Sequence, residues 1–152
     1  MKRVLVAGIG NELRGDDAVG LEVADRLRER VPPGVEVVGC EQEPLRLIDT
    51  WHGADSVVVV DAIDSGGEPG TVVRLDASVD QIAERTFRSS THAFGVGETI
   101  ELARALGKLP RRVIVYGVEG AEFAAGRGLS ALVDAAVGSV VESILADLAR
   151  ES

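Results

Sequence analysis

The sequence contains almost no cysteine. Cys40 is the only one among 152 residues, so a disulfide framework within this chain and a cysteine-rich zinc site are both excluded. Long hydrophobic runs are also missing near the start. The apolar stretch at residues 4–7 is interrupted at Gly8 and is too short for the core of a signal peptide or for a membrane span. We therefore expect a cytoplasmic protein in which Cys40 is a half-buried strand residue.

Positive charge is in short supply as well. Lysine and arginine number 16 against 25 acidic residues, which gives a net charge of −9. Neutralising phosphate groups requires clustered basic side chains, so this balance argues against nucleic acid or an anionic membrane as a partner. A protein partner with a basic or apolar surface stays open, and we expect the chain to be a monomer.

Short runs of β-branched residues predict the strands of the fold. They lie at residues 4–7, 35–38, 57–60, 72–75 and 113–116. Helix-like stretches lie at residues 17–30, 45–52, 96–106 and 129–149. Three strand runs are apolar without alternation, which is typical of parallel strands covered by helices on both faces. The prediction is a single α/β domain over residues 1–152, a three-layer sandwich with about five strands in a mostly parallel, mixed sheet.

One predicted strand pair breaks this alternation. The glycine-rich segment 66–70 separates the runs at 57–60 and 72–75 and leaves no room for a crossover helix. We therefore expect these two strands to form an antiparallel hairpin. Ligands of such sheets bind at the carboxyl ends of the strands, so the loops that follow the strands hold the candidate functional residues.

The loop after the first strand carries a Gly8-x-Gly10 pattern and the acidic pair Asp16-Asp17. The pattern is typical of dinucleotide-binding folds, but their third glycine would fall at Leu13, and the acidic pair would repel a pyrophosphate. We therefore reject this interpretation and expect no affinity for NAD or ATP. Asp16 is interpreted as the N-cap of the following helix. Asp17 is then either a solvated first-turn acid or a functional carboxylate.

Two more candidates follow later strands. Asp61 directly follows four valines, and is either a turn or cap acid or a catalytic or metal-binding carboxylate. His92 lies in a polar loop before the helix at 96–106, and is either a surface histidine or a ligand. His52, beside Trp51 at a helix end, requires no chemistry.

The sheet topology would bring Asp17, Asp61 and His92 to one edge. Two carboxylates and an imidazole form a ligand set suited to a divalent metal. The Gly-x-Ser-x-Gly turn of serine hydrolases and the His-Glu-x-x-His helix of common metalloproteases are both absent. A Cys40–His92 nucleophile pair stays open, although no local feature marks Cys40 as activated.

Three segments together resemble the nickel-iron hydrogenase maturation proteases. They are residues 8–20, the Val-Val-Asp61-Ala-Ile stretch and Ser-Thr-His92-Ala-Phe-Gly, in the family's order and at its separations, within a similarity that runs from residue 4 to about 145. The resemblance implies an aspartyl-type endopeptidase that removes a C-terminal extension from a hydrogenase large-subunit precursor after nickel insertion. It also implies that Asp17, Asp61 and His92 are the catalytic and metal-contacting residues. The implied metal is nickel supplied by the substrate, for which other divalent metals would substitute in vitro.

The chain departs from the family pattern at three places. Many members have Glu at the position of Asp17, so the shorter side chain requires a metal closer to the helix or a bridging water. Residues 39–44 differ from the usual Asp-Gly-Gly-Thr loop, and Gly120 stands where a proline is usual. We expect the first of these loops to touch the substrate. Residues 119–128 are interpreted either as an exposed connection between a strand and a helix or as another wall of the substrate groove. A non-catalytic nickel-sensing or chaperone-like module that holds the same precursor stays open as the alternative.

Overall fold

The computed structural model describes residues 2–41, 44–79 and 95–151. Its strands are β1 (Val4–Ile9), β2 (Val35–Cys40), β3 (Ser56–Ile63), β4 (Val72–Asp76) and β5 (Arg112–Glu119). Its α-helices are α1 (Val19–Leu27), α2 (Leu47–Thr50), α3 (Val96–Ala105) and α4 (Ala131–Ala149), and single 3-10 turns lie at Gly15–Ala18 and Pro44–Arg46. No helix in these described ranges is long and apolar enough to cross a membrane.

The strands of the described chain form one five-stranded sheet in the order β2-β1-β3-β5-β4. β1 pairs in parallel with β2 and β3, and β3 pairs in parallel with β5. Among these described strands, only β4 runs antiparallel, against β5. The predicted mixed, mostly parallel α/β sheet is therefore confirmed.

The predicted hairpin between β3 and β4 is wrong. β5 lies between the two strands, and it pairs with β3 from Ser56 to Ile63. The whole of β3 is buried, so it requires parallel neighbours with helices on both faces rather than an exposed hairpin partner. The connection from β3 instead passes the end of β5, where Glu119 exchanges backbone hydrogen bonds with Gly70 and Thr71, and β4 then pairs at the outer edge.

Alternate side chains of the sheet enter two separate cores. On one face, Val4, Val6 and Val58 pack against α1 and α4. On the other face, Leu5 and Val57 pack against α2 and α3, and the buried Trp51 closes this core. The strand runs that do not alternate in the sequence are thus the ones buried on both faces, and the three-layer prediction is confirmed.

The helix boundaries explain where the candidate acids lie. The predicted helix 17–30 is a 3-10 turn at Gly15–Ala18 followed by α1, and the predicted helix 45–52 is a 3-10 turn followed by the single turn of α2. The acidic pair Asp16-Asp17 therefore lies in a tight turn before the helix rather than in its first turn. This turn stands at the carboxyl edge of β1, beside the end of β3.

Candidate active site at the carboxyl edge of the sheet

Asp61 lies near the end of the central strand β3. It is opposite Gly117 of β5 and is 1% exposed. Among the described residues, the hydrogen bond that its side chain accepts comes from the adjacent backbone N–H of Ala62, at 2.9 Å. Burial, followed by the nearby charge of Asp17, holds the pKa of Asp61 well above its ordinary value of 3.8. Asp61 is therefore a buried acid in an environment that disfavours its charged form.

Asp17 lies in the 3-10 turn, 2% exposed. Its interpretation as a solvated first-turn acid is wrong, because the turn packs directly on the end of β1. A Cβ atom on Gly10 would lie 2.1 Å from the carbonyl oxygen of Asp17, so only glycine permits this approach. The Asp17 N–H donates to Arg14, and the Asn11 N–H donates to the Asp17 carbonyl. The turn thus holds Asp17 within electrostatic reach of Asp61.

His92, the third predicted site residue, lies outside the described residues. Within residues 2–41, 44–79 and 95–151, no three histidine, cysteine or acidic side chains are grouped so that they could hold a metal ion. The described part of the site is therefore the pair Asp17 and Asp61. The role of His92, like the metal-binding and catalytic roles of the two acids, stays a prediction.

Asp16 does not cap a helix as predicted. Its fully buried carboxylate accepts hydrogen bonds from the N–H groups of Ala121, Glu122 and Ser130 at 2.7–2.9 Å, and from the Ser130 hydroxyl at 2.8 Å. Burial acts to raise its pKa, but these four hydrogen bonds outweigh burial and hold the pKa below the ordinary 3.8. The N-cap prediction was wrong because Asp16 lies within a 3-10 turn rather than immediately before a helix. The donors to its carboxylate come from the segment after β5.

Glu119 is a buried acid that the sequence placed in an exposed connection. It ends β5, is 2% exposed, and lies opposite Ile63 of β3. Its carboxylate accepts hydrogen bonds from the Ser65 N–H and hydroxyl and from the Gly67 N–H. The signal that could have found it is the one that found Asp61, an acid at the end of an apolar strand.

Neither of the remaining candidates shows signs of catalysis. Cys40 ends β2 half-buried, as predicted, and burial raises the pKa of its thiol above 9.0. His52 is exposed in the turn after α2, where its backbone carbonyl accepts a hydrogen bond from Arg3. A raised thiol pKa disfavours the thiolate, so the geometry gives no support to a Cys40 nucleophile.

Comparison with known proteins identifies the family. Residues 21–147 match the sequence profile described as hydrogenase maturation protease. The chain is 30% identical over 154 residues to the hydrogenase 2 maturation protease of Escherichia coli K12, covering 99% of this chain and 92% of that protein. It is 34% identical over 123 residues to hydrogenase expression/formation protein HupM of Azotobacter chroococcum, but spans only 58% of that longer protein.

Solved structures give the same result. The hydrogenase maturating endopeptidase HybD of E. coli superposes with a TM-score of 0.78 at 26% identity, over 99% of this chain and 94% of HybD. The nickel-iron hydrogenase maturation protease HycI of Thermococcus kodakarensis superposes with a TM-score of 0.74 at 28% identity, over 97% and 92% of the two chains. On these grounds the chain belongs to the hydrogenase maturation protease family and is a peptidase of that family.

Proposed function

We propose that this protein is an endopeptidase that removes the C-terminal extension of a nickel-loaded hydrogenase large-subunit precursor. In this proposal the nickel already bound to the precursor is the element that the protease recognises. The named activities of the family's relatives support the reaction class. The observation that carries the nickel-recognition part is the buried, electrostatically coupled pair Asp17 and Asp61.

Burial gives the pair Asp17 and Asp61 an energetic cost. Two carboxylates taken out of water and placed near one another repel, and each pays a desolvation cost unless a cation or a proton compensates. A divalent ion at this edge would relieve the repulsion between the two carboxylates, and carboxylate oxygens suit such an ion. The raised pKa of Asp61 shows that burial and the charge of Asp17 disfavour its charged form, which a bound cation would favour. With His92, expected from the family resemblance to approach from its loop, the donor set would be two oxygens and one nitrogen.

The contribution of the chain's own residues would be positioning. Asp17 is fixed by the turn that packs on Gly10, and Asp61 by the pairing of β3 with its neighbours. Substrate nickel bound by two fixed carboxylates would hold the adjacent peptide bond at a defined distance from the site. Such positioning can supply about 7–11 kcal/mol of barrier reduction. Nickel is thus part of the substrate in this scheme, and other divalent ions in the precursor would substitute for it in vitro.

The test compares two aspartates of neighbouring segments. Asp61→Asn removes the buried carboxylate, whereas Asp64→Asn alters an exposed one in the loop after β3. Purified proteins are incubated with nickel-loaded precursor and with nickel-free precursor, and the masses of the products are measured by mass spectrometry. We expect the wild type and Asp64→Asn to release a C-terminal peptide from the nickel-loaded precursor only. Asp61→Asn should cleave about a hundredfold more slowly while remaining folded.

Each of the other possible outcomes contradicts one part of the proposed function. Stable association with the precursor without a change of mass would select the non-catalytic binding module. Equal cleavage of nickel-free precursor would contradict recognition through nickel. Full activity of Asp61→Asn would remove the carboxylate pair from the mechanism. We further propose that the protein is cytoplasmic and monomeric. Size-exclusion chromatography with light scattering would test the oligomeric state.

A further inference from the structure

The segment from residue 121 to residue 130 is bound to the loop that carries Asp17, although more than a hundred residues separate them in the chain. The Asp16 carboxylate accepts hydrogen bonds from Ala121, Glu122 and Ser130. Ser130 stands at the N-cap position of α4, but its hydroxyl donates to Asp16 instead of capping that helix. The four hydrogen bonds all involve a charged acceptor that is shielded from water, the arrangement in which such bonds are strongest.

Backbone hydrogen bonds in both directions also join this loop to residues 121–130. The Gly15 N–H donates to Gly126, and the Gly126 N–H returns a hydrogen bond to Leu13. The Asp16 N–H donates to the Glu122 carbonyl at 2.7 Å. A Cβ atom on Gly15 would lie 2.5 Å from that same carbonyl oxygen, so the two segments are in van der Waals contact with no side chain between them.

Because Asp16 is next to Asp17, the contacts between the turn and residues 121–130 also affect the position of Asp17. Asp16 is adjacent to Asp17 in a turn of four residues, so a rotation of one backbone unit moves the other. The backbone hydrogen bonds of Asp17, from Asn11 and to Arg14, lie within the same loop. The contacts with the segment after β5 therefore act together with the packing of the turn on Gly10 to resist a shift of the whole turn.

We infer that Asp16 is a positioning residue, which fixes the turn carrying Asp17 by clamping it to residues 121–130. This inference rests on the proposed function for its catalytic consequence, because Asp17 acts on substrate only if that function holds. The structural part, that the bonds to Ser130 hold a turn more than a hundred residues away, stands independently and is measured separately.

The experiment weakens the clamp from its far side. Ser130→Ala removes only the hydroxyl bond to Asp16, Ser130→Thr retains it, and Asp16→Asn introduces an amide donor among N–H donors. The matched control is Ser139→Ala, an exposed serine of α4 whose hydroxyl donates to the Ala136 carbonyl of its own helix. Two quantities are measured on each full-length variant below its melting temperature. They are the amide hydrogen-exchange rates of Asn11 and Asp17, by NMR, and kcat and KM for nickel-loaded precursor.

We expect Ser130→Ala to raise the exchange rates at Asn11 and Asp17 by about tenfold and to lower kcat by a similar factor, with KM unchanged. Asp16→Asn should show larger effects, while Ser130→Thr and Ser139→Ala should match the wild type. A merely structural role would lower the melting temperature and leave kcat unchanged in the folded protein.

Unchanged exchange in both Ser130→Ala and Asp16→Asn would overturn the inference, whatever the activity. Faster exchange with full kcat would also overturn it, because the turn would then move without consequence. If the wild type itself fails to cleave the precursor, the proposed function fails, and the exchange rates still decide whether Asp16 holds the turn.

Discussion

Replacing Gly8 by alanine should force helix α1 away from the sheet. Gly8 lies in β1, where a Cβ atom would stand 2.1 Å from the carbonyl oxygen of Gly20 and 2.9 Å from the Cβ of Ala24. The obstacle is the helix itself, its backbone and a Cβ atom, which no rotamer change can move aside. Relief therefore requires α1 to shift by about 1 Å, in a core where volume changes of one methyl group are felt.

The size of the destabilisation by Gly8→Ala depends on which contacts the displacement of α1 disturbs. Overpacking a core typically costs about 1–3 kcal/mol when side chains can rearrange. Here the helix must move, and with it Val19 and Val23, which are fully buried against the sheet. We therefore expect a loss of about 3 kcal/mol in the free energy of unfolding. For a chain of this length, that corresponds to a fall in Tm of about 6–12 °C.

The same substitution at Gly138 supplies the control. Gly138 is exposed in α4, and a Cβ atom there would have nothing within 4 Å. Because alanine favours helix over glycine, Gly138→Ala should stabilise the protein by about 0.5–1 kcal/mol. Urea unfolding followed by the fluorescence of Trp51, which is the only tryptophan and is buried, measures both variants. Equal stability of Gly8→Ala and the wild type would refute the packing argument, and so would similar effects of the two substitutions.

Two further predictions concern groups away from the site. The buried Asp147 accepts hydrogen bonds from Arg74 and Tyr116, which hold its pKa below 3.8 against the opposing effect of burial, so Asp147→Asn should cost about 2 kcal/mol at neutral pH. Since the folded-state pKa is lowered, this stability is present above about pH 4 and is lost below it, and urea titrations at pH 7 and pH 3 should show a smaller pH difference in the variant. Burial raises the pKa of Cys40, so iodoacetamide should alkylate it more slowly at pH 8 than a free cysteine, and rapid labelling would contradict its half-buried position.

The strands were predictable because their residues alone determine them. Runs such as Val57–Val60 of β3 carry β-branched side chains on both faces, and such runs fit only a sheet covered on both sides. The order of the strands in the sheet was harder to predict from the sequence. The segment between β3 and β4 is compatible with a hairpin, and what excludes the hairpin is the pairing of β3 with β5, whose paired residues lie 56 positions later. Pairing between distant segments leaves no local trace in the sequence.

The glycine pattern after β1 shows how one motif serves two different structures. In a nucleotide-binding fold, such glycines let a phosphate approach the helix N-terminus. In this chain the space at Gly8 and Gly10 is filled by the chain itself, by the carbonyls of Gly20 and Asp17. The glycines therefore bring a carboxylate, rather than a phosphate, to the edge of the sheet. The acidic pair was the feature of the sequence that separated these alternatives.

The acidic residues at this edge have different surroundings, because their hydrogen-bond donors differ. Asp16 and Glu119 are each surrounded by N–H and hydroxyl donors, which satisfy a buried carboxylate and make it a structural element. Among the described residues, the Asp61 side chain instead accepts a hydrogen bond from Ala62 and lies near the charge of Asp17, so its surroundings disfavour its charged form. The donors of Asp16 lie 105–114 residues away, which is why the sequence could name the acids but not assign their roles. A buried carboxylate with many donors holds the fold, and one that lies near a second carboxylate is where we propose that a cation binds.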